Sequence, residues 1–183
     1  MIRIFQQKQS QENACEVFPI VTEEGIQIGK ATREECHNGS KLLHPVVHLH
    51  VIHPESGALL LQKRPVWKDI QPDKWDTAVG GHVDEGEAIQ DALMREVSEE
   101  IGVTNFRPEF VTSYVFESDI EKELVYVYRT YYGGDFNPNH EVEALRFWLL
   151  SDIEKGIDDL IFTPNFIQEW DRLQIAKWMQ PLF

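Results

Sequence analysis

Apolar positions along the chain follow two rhythms. Val46-Val47-His48-Leu49-His50-Val51-Ile52 is nearly continuous, and after the turn residues Pro54-Glu55-Ser56-Gly57 it is answered by Ala58-Leu59-Leu60-Leu61-Gln62-Lys63-Arg64. Runs of this kind predict two strands covered on both faces. Shorter strands are expected over 15–22 and 26–31, joined at Glu23-Glu24-Gly25, and over 110–117, 124–132 and 144–149. The second rhythm is helical. Residues 88–101 contain no Gly or Pro and stop at Gly102, with Leu93, Met94, Val97 and Ile101 clustered on one face for the core. Thr163-Pro164 opens a helix to about Met179, with Phe166, Trp170, Leu173 and Lys177 at amphipathic spacing. Thr32 with Glu35 predicts a capped helical turn ended by Asn38-Gly39, and Ser151 is expected to cap a short helix through Lys155. Strands, helix, strands, helix is the order of an α/β chain with a mixed sheet packed between helices. No boundary interrupts it, so one domain over 1–183 is expected, with residues 1–14 a flexible extension.

The helix at 88–101 carries the first chemical signal. Glu85, Glu87, Glu96, Glu99 and Glu100 fall within sixteen positions. On a helix Glu96, Glu99 and Glu100 occupy about a 100° arc. Like charges so placed repel one another. A solvated acidic face is one reading; a bound divalent cation, which reverses the sign, is the other. An all-oxygen set suits Mg²⁺ or Mn²⁺ better than zinc. Arg95, four residues before Glu99, is placed to hold it.

Composition narrows the setting. The chain has 183 residues, 42% apolar and 11% aromatic, which is globular. Its 17 basic against 31 acidic residues give a net charge of −14. That excludes a general nucleic-acid or anionic-membrane binder. Cys15 and Cys36 make no disulfide framework, no stretch approaches a membrane span, and no secretory signal core opens the chain. A cytoplasmic protein is expected.

The full spacing is Gly81, five residues, Glu87, seven residues, then Arg95-Glu96-Val97-Ser98-Glu99-Glu100-Ile101-Gly102-Val103. Every required position of the Nudix box is filled, and the chain resembles the Nudix hydrolase superfamily. The resemblance implies the Nudix fold, a mixed β-sheet sandwiched between helices (α/β/α), holding Mg²⁺ (Mn²⁺ being possible) against a diphosphate. By position, Glu96 and Glu100 would be the main metal ligands, and Glu99 a further ligand or the base that activates water, with Glu100 taking that role if the two are exchanged. Gly81 would lend its carbonyl, Glu87 would support the loop, and Arg95 would assist catalysis.

A second resemblance runs from about 16 to 132. Gly29-Lys30-Ala31-Thr32-Arg33, Cys36-His37, Leu42-Leu43-His44, Leu60-Leu61-Gln62-Lys63-Arg64, Lys68, Trp75 and Gly80-Gly81-His82 are similar to isopentenyl diphosphate isomerase and its relatives. It implies a possible second metal site at His37, His44, His82, Glu121 and Glu123. It also implies diphosphate binding by Arg64 and Lys68, and places Gly80 where the isomerase has its catalytic cysteine. That missing thiol, with an intact box, points to hydrolysis on an isomerase-like scaffold. Read without the resemblance, the three histidines are core or pocket residues, and Glu121 and Glu123 a solvated turn. His48, His50, His53 and His140 are expected to be structural or exposed.

The expected function is Mg²⁺-dependent hydrolysis of a diphosphate linkage in a nucleoside-diphosphate-type or related small molecule. Isopentenyl-diphosphate isomerisation and a non-catalytic nucleotide-binding module are the alternatives. The expected partner is the small-molecule substrate, with neither nucleic acid nor membrane, and a homodimer is possible. The sequence leaves open the substrate, the oligomeric state and which glutamate is the base.

Overall fold

A computed structural model describes residues 16–68 and 70–182. Cys15 and the 1–14 extension lie outside them. The strands are β1 (Val17–Val21), β2 (Gln27–Thr32), β3 (Leu43–Ile52), β4 (Leu59–Lys63), β5 (Trp75–Thr77), β6 (Val79–His82), β7 (Glu109–Glu117), β8 (Lys122–Tyr131) and β9 (Ala144–Trp148). The helices are α1 (Arg33–Cys36), α2 (Ile89–Ile101), α3 (Leu150–Asp158) and α4 (Pro164–Leu173), followed by a 3₁₀ turn at Ile175–Trp178. Strands β1 and β2 form an antiparallel pair. The other seven form a mixed sheet ordered β5-β4-β3-β8-β7, with β6 beside β3 and β9 beside β4. All ten residues of β3 are buried, as its unbroken apolar run requires.

By internal contacts the described residues divide into two compact units: those within 16–47, 81–92 and 112–126 in the first, and those within 48–80, 93–111 and 127–182 in the second. In the first, Phe18, Ile20, Ala31 and Cys36 form one cluster, and Val21, Leu43 and Leu124 another. Thr32 caps α1 through a full capping box with Glu35. Cys36 is buried there, and burial, with Glu35 beside it, pushes its thiol up to about 11. It is a packing residue, not a nucleophile.

The core of the second unit joins Ile52, Leu59 and Leu61 to Trp148, Ile153, Phe162, Phe166 and Trp170. Helix α4 starts as its sequence predicts, with Thr163 accepting from the Phe166 N–H and Pro164 in the first turn. It ends earlier than expected. Gln174 turns left-handed at φ 52°, and the chain continues as the 3₁₀ turn. Two other expectations are corrected. Leu149, not Ser151, occupies the N-cap of α3, without a side-chain bond, and the helix runs on to Asp158. Met94 is 37% exposed, not in the core.

Candidate active site and metal centre

Helix α2 brings the box glutamates together in the second unit. Val97 and Ile101 point into the core, so Glu100, beside Ile101, is drawn in and is 8% exposed. Its Oε2 accepts from Gln62 Nε2 at 3.1 Å and from the Gly80 N–H at 3.3 Å. Arg95 Nη1 bonds Glu96 Oε1 at 2.7 Å and reaches Glu99 Oε2 at 3.4 Å. Arg95 therefore positions two carboxylates. Glu99 is the most accessible of the three, its side chain 56% exposed.

The cluster is electrostatically incomplete. Burial, only partly offset by Arg95, pushes the Glu96 carboxyl up to about 7. Burial and then Glu96 push Glu100 up to about 8, against the opposing charge of Lys68. Two buried carboxyls that resist ionisation are a donor set that fits a hard divalent cation, which would hold both in the charged form.

Glu141 was not found from sequence. It adds to the repulsion at both Glu96 and Glu100, and its Oε2 lies 2.6 Å from Lys68 Nζ. It arrives through the end of α2. Gly102 adopts φ +71°, and the Asn137 and Asn139 N–H groups bond the carbonyls of Ile101 and Glu100 at 2.9 and 3.1 Å. A Cβ on Gly102 would meet the Asn137 carbonyl oxygen at 2.7 Å. The box glycine thus lets a later loop dock on the helix and bring Glu141 with it.

The expected diphosphate cations are both engaged. Lys68 pairs with Glu141, while Arg64 donates twice to the Ile70 carbonyl and lies 3.7 Å from Asp76. Arg64 thereby holds the fold of its own loop. Trp67 stacks near His140 and under Lys68, and Trp75 packs against Trp148.

The first unit holds the histidine cluster. Ligand atoms of His37, His44, His82 and Glu123 lie within 4.8 Å of one another. His37 Nδ1 lies 2.8 Å from the Arg33 carbonyl and His44 Nδ1 2.9 Å from that of Leu42. A carbonyl only accepts, so both Nδ1 atoms carry the proton and both Nε2 atoms present lone pairs. Burial, with Arg33 and His44, pushes His37 down to about 4. Burial also lowers His44, whose Nε2 is buried without a hydrogen-bond partner. His37 Nε2 faces Glu121 Oε2 at 3.2 Å, lone pair against carboxylate. A cation resolves these conflicts, so the set fits a metal of the kind nitrogen ligands prefer. His82 fits less simply, because its Nδ1 faces Arg33 Nη1 at 3.4 Å and its Nε2 lies 3.2 Å from His37 Nε2. Its proton must move before Nε2 can bind a metal. In the same unit Gly81 is buried on β6, and Glu87 receives the Asp84 N–H at 3.2 Å, supporting the loop.

The NUDIX domain family model matches residues 43–166. An uncharacterized Nudix hydrolase of Nostoc is 32% identical over 73% of this chain and 80% of its own. An isopentenyl-diphosphate Delta-isomerase of Mycolicibacterium vanbaalenii is 30% identical over 76% and 80%. A crystal structure of a Deinococcus radiodurans protein shares the fold at a TM-score of 0.75, with 20% identity over 86% of this chain and 99% of that one. No helix among the described residues is long and apolar enough to cross a membrane. The intact carboxylate box, the family match and these relatives place the chain in the Nudix hydrolase superfamily, enzymes of pyrophosphate bonds, within reach of its isopentenyl-diphosphate-isomerase-like members.

Proposed function

We propose that the protein hydrolyses a diphosphate linkage in a nucleoside-diphosphate-type or related small molecule, with Mg²⁺ or Mn²⁺ held by Glu96, Glu99 and Glu100. The observation that carries this is the buried pair Glu96 and Glu100, pushed up to about 7 and about 8 and so in want of a cation. When bound, the cation supplies charge neutralisation on the bridged phosphates and lowers the pKa of water. Arg95 keeps Glu96 and Glu99 in place. Glu99, the most exposed, takes the proton of the attacking water. Gln62 and the Gly80 N–H orient Glu100. Lys68, whose positive charge acts on Glu100, stabilises the phosphoryl oxygens as charge develops.

The test is product release from nucleoside triphosphates, nucleotide sugars, dinucleotides and the C5 isoprenoid diphosphates. Glu100→Gln serves as control. At unchanged fold it is expected to lower turnover at least about 100-fold. Retained turnover in that variant overturns the assignment.

The histidine cluster favours one further reading, that a second metal site of the isomerase type persists. Isomerisation itself needs proton transfer at carbon, and Gly80 brings no thiol to the position of the isomerase cysteine. We therefore assign that cluster a metal-binding role without isomerase chemistry; interconversion of the two C5 diphosphates, followed by NMR, would reverse this.

A further inference from the structure

The second unit contains a buried charge that the hydrolytic reading does not use. Helix α4 buries Phe166, Glu169 and Trp170 on one face, so Glu169 is carried inside and is 1% exposed. His48 and His50, two apart and hence on the same face of β3, meet it. Glu169 Oε1 and Oε2 lie 3.2 and 3.1 Å from His48 Nδ1, and Oε2 lies 2.9 Å from His50 Nε2 and 3.4 Å from Thr77 Oγ1. Burial favours the neutral acid, but His48 and His50 outweigh it and hold the carboxyl far below the usual range.

The two imidazoles are not equivalent. His50 is fully buried and its Nδ1 has no hydrogen-bond partner, so a proton there would be an unpaired buried donor. The His48 side chain keeps 11% of its surface in water. A buried carboxylate requires a compensating cation, and His48 is the imidazole placed to carry it. With Nδ1 turned to Glu169, the opposite edge of the ring, Cδ2 and Nε2, faces Gly80. A Cβ on Gly80 would lie 3.4 Å from Cδ2 and 3.5 Å from Nε2. Gly80 is exposed, and its own N–H is bonded to Glu100. A single residue without a side chain therefore separates the box carboxylate from the outer edge of His48.

We propose that His48 is a phosphate-binding residue: an imidazolium fixed by Glu169, it offers Nε2–H past the bare Cα of Gly80 to a non-bridging oxygen of the diphosphate. This rests on the reading of Glu96, Glu99 and Glu100 as the diphosphate site. The bond would be charge-assisted, and Glu169 orients its donor in advance, so little freedom is lost on binding. The same geometry gives the isomerase-position glycine a purpose, because any side chain there would cover the edge of His48.

Binding of methylenediphosphonate, a diphosphate that cannot be hydrolysed, tests this by calorimetry on the full chain with Mg²⁺. His48→Asn keeps an amide facing Glu169 but removes the outer donor, and should weaken binding about tenfold or more. His48→Gln carries an amide N–H further out and should recover part of the loss. Gly80→Ala leaves the Glu169–His48 pair intact, meets it only at ordinary contact distance, and should weaken binding as His48→Asn does. Unchanged affinity in folded His48→Asn and Gly80→Ala overturns the proposal, as does failure of the unmodified protein to bind. The substrate panel keeps the two claims apart. His48-dependent binding with no hydrolysis leaves the proposal standing and removes the hydrolase reading; hydrolysis that ignores His48 does the opposite.

Discussion

Glu96 and Glu100 are groups whose ionisation folding opposes. In the unfolded chain each titrates near 4.5; folding raises them to about 7 and about 8. Between those limits the folded chain holds protons that the unfolded chain has released, so stability falls as pH rises. Below the unfolded value the contribution is complete, and above about 8 it is gone. In chelator the melting temperature should therefore drop across this window, less steeply in Glu100→Gln, and Mg²⁺ should flatten the drop by binding the ionised folded form. An equal slope with and without Mg²⁺ would contradict a cation at these glutamates. The histidines make a separate prediction. His44 Nε2 is buried with no hydrogen-bond partner, so His44→Ala removes a ligand without breaking any bond to that atom. Protein equilibrated with Mn²⁺ and desalted should lose one bound ion per chain in His44→Ala, measured by elemental analysis. Equal metal content would leave the cluster a packing feature.

At the scale of elements, Gly102 links the box to the rest of its unit. It is left-handed at the end of α2 and leaves room for Asn137, whose loop carries Glu141. Gly102→Ala adds backbone strain of about 1–3 kcal/mol and a clash at 2.7 Å with the Asn137 carbonyl. The variant should melt lower, and its activity should fall beyond what lost stability explains, measured well below its midpoint, because Glu141 and Lys68 shift together. Full specific activity would mean that the loop has no share in the site. The glycine, the glutamates and α2 itself were legible in the sequence, because a cap and a helical stripe are local patterns. Thr32 and Thr163 were legible for the same reason. Glu141 was not, because only docking of the 137–141 loop brings it to residues 96 and 100. Glu169 was not, because a lone Glu in an amphipathic run reads as polar face, and the histidines that hold it inside lie 121 and 119 positions away along the chain. The end of α4 was missed because Gln at φ 52° carries no sequence signal of the kind Gly provides.

At the scale of the whole chain the charge is −14, yet the substrate proposed for it is an anion. Like charge slows encounter, and screening relieves it, since the Debye length shortens from about 30 Å at 0.01 M to about 8 Å at 0.15 M. Close contacts behave differently. Lys68 is 22% exposed at its side chain, and Glu96 and Glu100 are largely buried, so salt reaches these local interactions less than it reaches the surface field. Two opposed effects therefore act at different ranges. With Mg²⁺ saturating, kcat/KM should rise as monovalent salt is added over that span, while kcat changes little, because encounter and not chemistry is being screened. The sign decides which range governs. A fall in kcat/KM would mean that the cations beside the glutamates, Lys68 and the proposed His48, already reach out to the approaching diphosphate and overcome the field of the molecule that carries them.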